Sequence, residues 1–528
     1  MMKNHILLSL IFAVMLCSCE QGSEESNLEN LPSFAQEAFR PQIHFSPKEN
    51  WMNDPNGMVY YDGEYHLFYQ YYPDSTVWGP MHWGHAISTD MVHWEELPIA
   101  LYPDELGYIF SGSAVIDWNN TSGLQDGEHP PMIAIFTHHN IKEEREEGNN
   151  TFQYQSIAYS NDKGRTWAMY EGNPVVPNPG IRDFRDPKVS WHEATGKWVM
   201  IFAAADRVRL YSSPNLIDWD FESEFGADLG AHGGVWECPD LFPLQVEGTD
   251  DTKWVMLVSI NPGGPNGGSA TQYFVGDFDG KTFTTAQNDT KWLDYGRDNY
   301  AGVTWSDIPK EDGRRLFIGW MSNWDYAQVV PTESWRSAMT LPRSLHLLGG
   351  DEFIVASRPV KELEALEDKQ VNLLDTTQET ETAFLLTEGS GMKLGIPYKI
   401  DLQIDLDQTT AKEFKITLDN PTNGDEYFLN FSSTELTSDR GKTGKTDFGE
   451  KFAQTVHKAD ISRQMAGSSL QIEVYVDASS MEVFLNNGEL VMTEVLFPTE
   501  GFDRAFITPA DGKLKIESFS STELKSIW

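Results

Sequence analysis

Four stretches of the chain follow one plan. "HAISTDMVHWEEL" (85–97), "QSIAYSNDKGRTWAMY" (155–170), "VRLYSSPNLIDWDFE" (208–222) and "TQYFVGDFDGKTFTT" (271–285) each run a strand-like segment into a polar turn. Each then leaves through an aromatic residue that opens another strand. The aromatics are Trp94, Trp167, Trp219 and Phe283, spaced by 73, 52 and 64 residues. Units of roughly 50–70 residues with about four strands have the size of propeller blades. A parallel β-helix needs shorter, more regular repeats, and a sandwich does not repeat this way. Helix signals are scarce over this region, and apolar runs such as "KWVMIFAAA" and "RRLFIGWM" alternate with Asp, Gly, Asn and Pro. The expected fold is all-β, with room for a five-bladed β-propeller over residues 40–350.

Beyond residue 350 the texture changes. "SRPVKELEALEDKQ" is charged and reads as a linker over 351–375, with one short helix that puts Leu363 and Leu366 on one side. Alternation returns in "YKIDLQIDLD", "LQIEVYVD" and "MEVFLNN", and Asn487-Gly488 is a hairpin turn signal. Residues 376–528 are expected to form a C-terminal β-sandwich. The run "KEEREEG" (142–148) reads as a solvated loop.

The N-terminus reads as an export signal. Lys3 precedes an apolar run from Ile6 to Leu16, too short to span a bilayer and the right size for a signal peptide core. "LCSC" then resembles a bacterial lipobox, with cleavage before Cys19 and lipidation of its thiol. Residues 1–19 are thus expected to be a lipoprotein signal with its lipobox, and 20–39 a polar, acidic, flexible tether. The expected location is an exported bacterial lipoprotein, periplasmic or at the cell surface, that meets the membrane only through its lipid. The other two cysteines, Cys17 and Cys238, leave no disulfide framework.

Charge narrows the partners. Lys and Arg number 39 against 80 Asp and Glu, a net charge of −41, which repels phosphate backbones, so no nucleic-acid partner is expected. A neutral sugar is indifferent to that field. Aromatic residues, 12% of the chain, suit the stacking of flat or apolar faces.

Three carboxylates fall at one place in different repeats. Asp54 in "WMNDPNG", Asp186 in "FRDPKVSW" and Glu237 in "VWECPDLFPL" each lie one or two residues before a proline at the head of a strand. The first strand of each propeller blade lines the central axis, so the three should converge on one pocket. Converging acids among aromatic rings suit glycoside cleavage: one carboxylate attacks or stabilises the anomeric carbon, and another arrives protonated for the leaving oxygen. Like charges and desolvation keep one acid protonated, while Arg185, adjoining Asp186, is expected to hold that one ionised. His82, His85 and His93 have no acid cluster at ligand spacing around them, and neither a metal nor a cofactor is expected.

In this order, "WMNDPNG", "FYQYYP", "FSGSAV", "FRDPKV" and "WECPDL" resemble the signature blocks of glycoside hydrolase family 32, the invertases, inulinases, levanases and other β-fructosidases. The likeness covers residues 40–528 and extends to "DASSMEVFLNNGE" in the second domain. It implies a retaining hydrolase of terminal β-fructofuranosidic bonds in levan, inulin or sucrose. Asp54 would be the nucleophile that forms a fructosyl-enzyme, and Glu237 the general acid and then base. Asp186, helped by Arg185, would hold fructose hydroxyls and stabilise the transition state. It also implies that Asn53, Gln70, Trp78, Phe110 and Ser111 line the pocket for the terminal fructose, with Trp320 or Trp324 as a further wall. A fructosyltransferase using the same intermediate and a non-catalytic surface glycan binder are the alternatives. The binder would be expected to have lost an acid, and all three are present.

Overall fold

The computed structural model describes residues 31–374, 377–387, 396–452 and 456–528. The proposed signal peptide and Cys19 lie outside the described residues.

Strand Lys197–Ala204 shows how the chain builds its first domain. Trp198, Met200, Phe202 and Ala204 belong to one apolar cluster, and Val199, Ile201 and Ala203 to the next. A strand alternates its side chains between two faces. An unbroken apolar run therefore means that both faces are covered. Strand Met132–His139 does the same, with Ile133 and Ile135 on one side and Met132, Ala134 and Phe136 on the other. Between residues 50 and 359 there are five such antiparallel sheets of four or five strands. Their innermost strands are Asn50–Tyr61, Tyr108–Ile116, Phe184–His192, Val235–Gln245 and Tyr300–Thr304. Each packs against the innermost strands of its two neighbours, so the sheets close into the propeller ring. The short strand Trp335–Arg336 helps to close it by pairing in parallel with Asn50–Trp51.

The recurring sequence plan has a structural cause. Trp94, Trp167 and Trp219 donate their indole N–H to the carbonyls of Met91, Gly164 and Leu216 at 3.0, 3.1 and 3.0 Å. In the same turns Asp90, Asp162 and Asn215 accept from backbone N–H groups two to four residues ahead. Asp279 does this in the fourth turn, where Phe283 supplies the ring without a donor. The polar residue closes the turn and the aromatic pins it, between the third and outermost strands of each sheet.

The second domain is a sandwich of a seven-stranded and a six-stranded sheet. Its core holds Ile400, Leu418, Leu429, Ile472, Val483 and Ile507. Asn486 and Asn487 (φ 45° and 59°) turn the hairpin between Ser480–Leu485 and Leu490–Val495. Gly488 also has positive φ (81°), and a Cβ there would lie 2.2 Å from the Ser357 carbonyl oxygen, so only glycine lets this hairpin meet the propeller.

Two boundaries differ from expectation. The stretch 351–375 is not a linker: Ile354–Pro359 completes the fifth propeller sheet, and Glu367–Leu374 already pairs with Leu514–Leu524 in the sandwich. Only the 3-10 helix Lys361–Leu366 joins them, and it buries Leu363 and Leu366. The tether expected over 20–39 is too long at its end. Phe34 packs edge-on against Trp528, and Phe39 against Phe497.

The two domains share a charged but buried seam. Arg343 donates to Glu482 at 2.6 Å and to Asp294 at 3.1 Å, and His44 lies between Asp477 (2.7 Å) and Glu482 (3.0 Å). These carboxylates hold His44 protonated against the cost of burial, with its pKa raised to about 9. Arg440 of the sandwich reaches Asp298 at 2.7 Å and the Tyr326 hydroxyl at 2.8 Å in the propeller. Among the described residues no helix is long and apolar enough to cross a membrane.

Candidate active site

The innermost strands are irregular at one shared level. The ladder slips between Met52 and Pro55, Ile109 and Gly112, Glu237 and Asp240, and Tyr300 and Val303, and across from Arg185–Lys188. Pro55, Pro187 and Pro239 follow the slipped residues, and a proline cannot donate to a ladder. Asp186 (φ 66°), Cys238 (φ 43°) and Ala301 (φ 53°) adopt left-handed backbone there. That conformation costs a non-glycine residue roughly 1–2 kcal/mol. Such bulges re-aim side chains. Here they turn residues from successive sheets into one end of the axis.

The result is a pocket of about 300 Å³ lined by Asp54, Asp186 and Glu237 together. Ser111 Oγ donates to Asp54 Oδ2 at 3.0 Å, and Cys238 Sγ lies 3.6 Å from the same oxygen. The Cys238 backbone N–H donates to Asp186 Oδ2 at 3.0 Å. Arg185 donates from Nη2 to Glu237 Oε1 at 2.8 Å and from Nη1 to Asp183 Oδ1 at 2.7 Å. The Tyr300 hydroxyl donates to Glu237 Oε2. Burial, with the neighbouring carboxylates, pushes the Tyr300 phenol up, so it stays a donor. It does the same to the Cys238 thiol, which is no nucleophile here.

Asp54 and Asp186 hold protons unusually well. Burial, helped by the charge of Glu237, raises Asp54 to about 6. Burial raises Asp186 to about 7; Arg185 opposes it, and the charges of Glu237 and Asp54 support it. The expectation that Arg185 keeps Asp186 ionised therefore fails. The guanidinium spends its fork on Glu237 and Asp183, and its Nε is 3.8 Å from Asp186. Asp54 and Asp186 together therefore keep a proton in the pocket near neutrality.

Of the expected lining residues, Asn53, Gln70, Trp78, Phe110, Ser111 and Arg185 all line the pocket. Trp51 holds the Asn53 side chain through its indole N–H at 2.7 Å. Gln70 Nε2 and Asp54 Oδ1 are buried with no hydrogen-bond partner among the described residues. Trp320 does not line it. It is fully buried behind Trp324, ring centroids 5.0 Å apart, and Trp324 forms the wall. The "KEEREEG" stretch is not only solvated loop: Glu144, in the short helix Ile141–Glu144, reaches the pocket and accepts from His139 at 3.1 Å.

Sequence reasoning missed His139, Gln153, Asp183, Asn261, Gln328 and Tyr300. His139 stacks on Phe110 with centroids 4.3 Å apart, and burial lowers its pKa to about 4, which leaves it a neutral prop for that wall. Tyr300 was within reach: it heads the innermost strand of the fifth sheet, the position that singled out the acids in the other sheets.

A sheet ring with paired acids in a sugar-sized pocket defines a glycoside hydrolase. Residues 44–358 match the family model described as "Glycosyl hydrolases family 32 N-terminal domain", and 362–525 match "Glycosyl hydrolases family 32 C terminal". The chain belongs to glycoside hydrolase family 32. It is 46% identical to a levanase of Bacillus subtilis (strain 168), across 100% of this chain and 76% of that protein. It is 38% identical to an extracellular exo-inulinase of Aspergillus awamori, across 93% and 95%. The crystal structure of exo-inulinase from Aspergillus awamori superposes with a TM-score of 0.84 at 35% identity, covering 93% of this chain and 99% of that one. A fructofuranosidase from Schwanniomyces occidentalis complexed with fructose gives 0.77 at 31% identity, covering 93% and 99%.

Proposed function

We propose that the protein is a retaining β-fructosidase that removes terminal fructose from levan or inulin, and from sucrose. One observation carries the reading: Asp54, Asp186 and Glu237, from three different sheets, face a single cavity of about 300 Å³. In the first step Asp54 attacks the anomeric carbon while Glu237 protonates the leaving oxygen. In the second, Glu237 takes a proton from water, which displaces Asp54. Tyr300 and Arg185 grip both oxygens of Glu237 and fix its aim. Asp186 and the open donor of Gln70 meet sugar hydroxyls. A pocket of this volume takes one sugar ring, which favours exo action.

Chromatography of products from levan, inulin and sucrose over time tests this. Fructose alone from the first time point is the expected result. A ladder of oligosaccharides contradicts exo action, and no release from any of the three contradicts the function.

The export reading stands on Lys3, the apolar run Ile6–Leu16 and Cys19. It places the enzyme on a membrane through a lipidated Cys19, as befits a polymeric substrate outside the cell. Cys19→Ala should move the enzyme from the membrane fraction to the soluble fraction; unchanged membrane retention contradicts the anchor.

A further inference from the structure

A second cavity of about 990 Å³ lies at the other end of the ring's axis. Ser111 and Asp186 line the acid pocket, and Ile116 and Trp191, five residues further along the same strands, line this one. At ~3.3 Å per residue the two are about 16 Å apart.

Its rings are held, not loose. Trp118 is 55% exposed, yet its indole N–H donates to Asp307 at 2.8 Å and its ring meets Tyr61 edge-on. The backbone N–H of Ile116 in turn fixes Asp307 at 3.0 Å. Trp191 donates to Glu193 at 3.3 Å and packs edge-on against Trp198. Each indole, exposed Trp118 and half-buried Trp191, has thus spent its one donor on a carboxylate and offers a fixed apolar face to the cavity. A soluble protein gains nothing in stability from such faces at its surface. The Arg315 guanidinium rests on the Phe242 ring at 5.0 Å and has no hydrogen bond or ion pair among the described residues, so its donors stay available. Lys188, Lys310 and Arg315 face four carboxylates in the lining, so the cavity selects neither anions nor cations strongly.

Fixed aromatic faces, unspent donors and near-balanced charge are the chemistry that receives a neutral polyhydroxylated chain. We propose that this cavity is a second carbohydrate site that holds a remote stretch of the polymer whose end enters the acid pocket. That the polymer is a fructan rests on the function proposed above; the site itself does not. Holding the chain at two places raises its effective concentration at the acids, an advantage open to polymers and closed to short substrates.

The full-length protein tests it. Electrophoresis through gels containing levan or inulin reads polymer binding, with Asp54→Asn as the background that does not consume the gel. Adding Trp118→Ala and Trp191→Ala should weaken retardation about tenfold, the scale of one or two lost stacking contacts. Trp118→Phe, which keeps a ring, should retain most of it. With Asp54 intact, the double Trp variant should hydrolyse sucrose at the wild-type kcat/KM but lose rate on dilute polymer. Unchanged retardation overturns the proposal, and so does an equal loss on sucrose and polymer. A dimer of the Asp54→Asn protein that Trp118→Ala dissociates would make the cavity a contact between copies, and would also overturn it. If the unaltered protein released no fructose at all, the catalytic reading would fall while the retardation assay still reported on the cavity.

Discussion

The raised pKa of Asp54 makes a claim about stability. Raised from 3.8 to about 6, its carboxyl binds a proton more tightly in the folded protein than in the unfolded chain. The folded state is therefore favoured while the group is protonated and loses that favour as pH rises from about 4 through 6. Once Asp54 is fully ionised the loss amounts to about 3 kcal/mol. Partial solvent access and relaxation of Glu237 reduce this to about 2 kcal/mol. Asp54→Asn removes the ionisation. The variant and the wild type should have equal stability near pH 4, and the variant should be the more stable by about 2 kcal/mol at pH 8. Thermal unfolding at a fixed scan rate, pH 4 to 8 in small steps, reads the difference as a gap in Tm that opens between pH 4 and 7. A gap that stays constant, or one that closes as pH rises, would refute the argument that burial beside Glu237 costs the ionised carboxylate free energy.

Other expectations follow from the same contacts. Glu237→Gln should lose most of its kcat/KM on fructans and sucrose but keep much of it on fructosides with very good leaving groups, whose first step needs no acid, while kcat stays low because the second step lacks its base; an equal loss of kcat/KM on both contradicts its role. Trp324→Ala should raise KM with little change in Tm, whereas Trp320→Ala, buried behind it, should cost about 3–5 kcal/mol of stability; the reverse pattern would exchange wall and core. His44, with its pKa raised to about 9, contributes stability that is complete below about pH 6.5 and lost as pH rises through 9. His44→Gln should be less stable than wild type at pH 6, with the deficit shrinking toward pH 10 in denaturant titrations, and a deficit independent of pH would mean that the seam between the domains does not depend on this charge.

Much of the fold was legible because propeller sheets repeat their turns. The same hydrogen bonds that pin Trp94, Trp167 and Trp219 impose the same residue types, and these stand out without an alignment. The acids were legible because a bulge beside a proline marks the head of an innermost strand. The edges of the domains were less so. The charged "KELEAL" stretch reads as linker, yet its two leucines are buried in a cluster drawn from both domains and its neighbours belong to the flanking sheets. Residues that reach the pocket from elsewhere, such as Glu144, Asn261 and Gln328, carry no local mark, because their approach depends on how loops from separate sheets meet. The direction of Arg185 was also beyond sequence. Adjacency to Asp186 suggested a partner, and side-chain geometry chose Glu237 and Asp183 instead.

The most direct test traps the covalent intermediate. Glu237→Gln with an activated fructosyl donor should let Asp54 attack, since no acid is needed, and then stall, since no base activates water. Peptide mapping by mass spectrometry should find one fructosyl unit on the peptide containing Asp54. An adduct on Asp186, or steady release of fructose with inverted configuration and no adduct, would contradict the account.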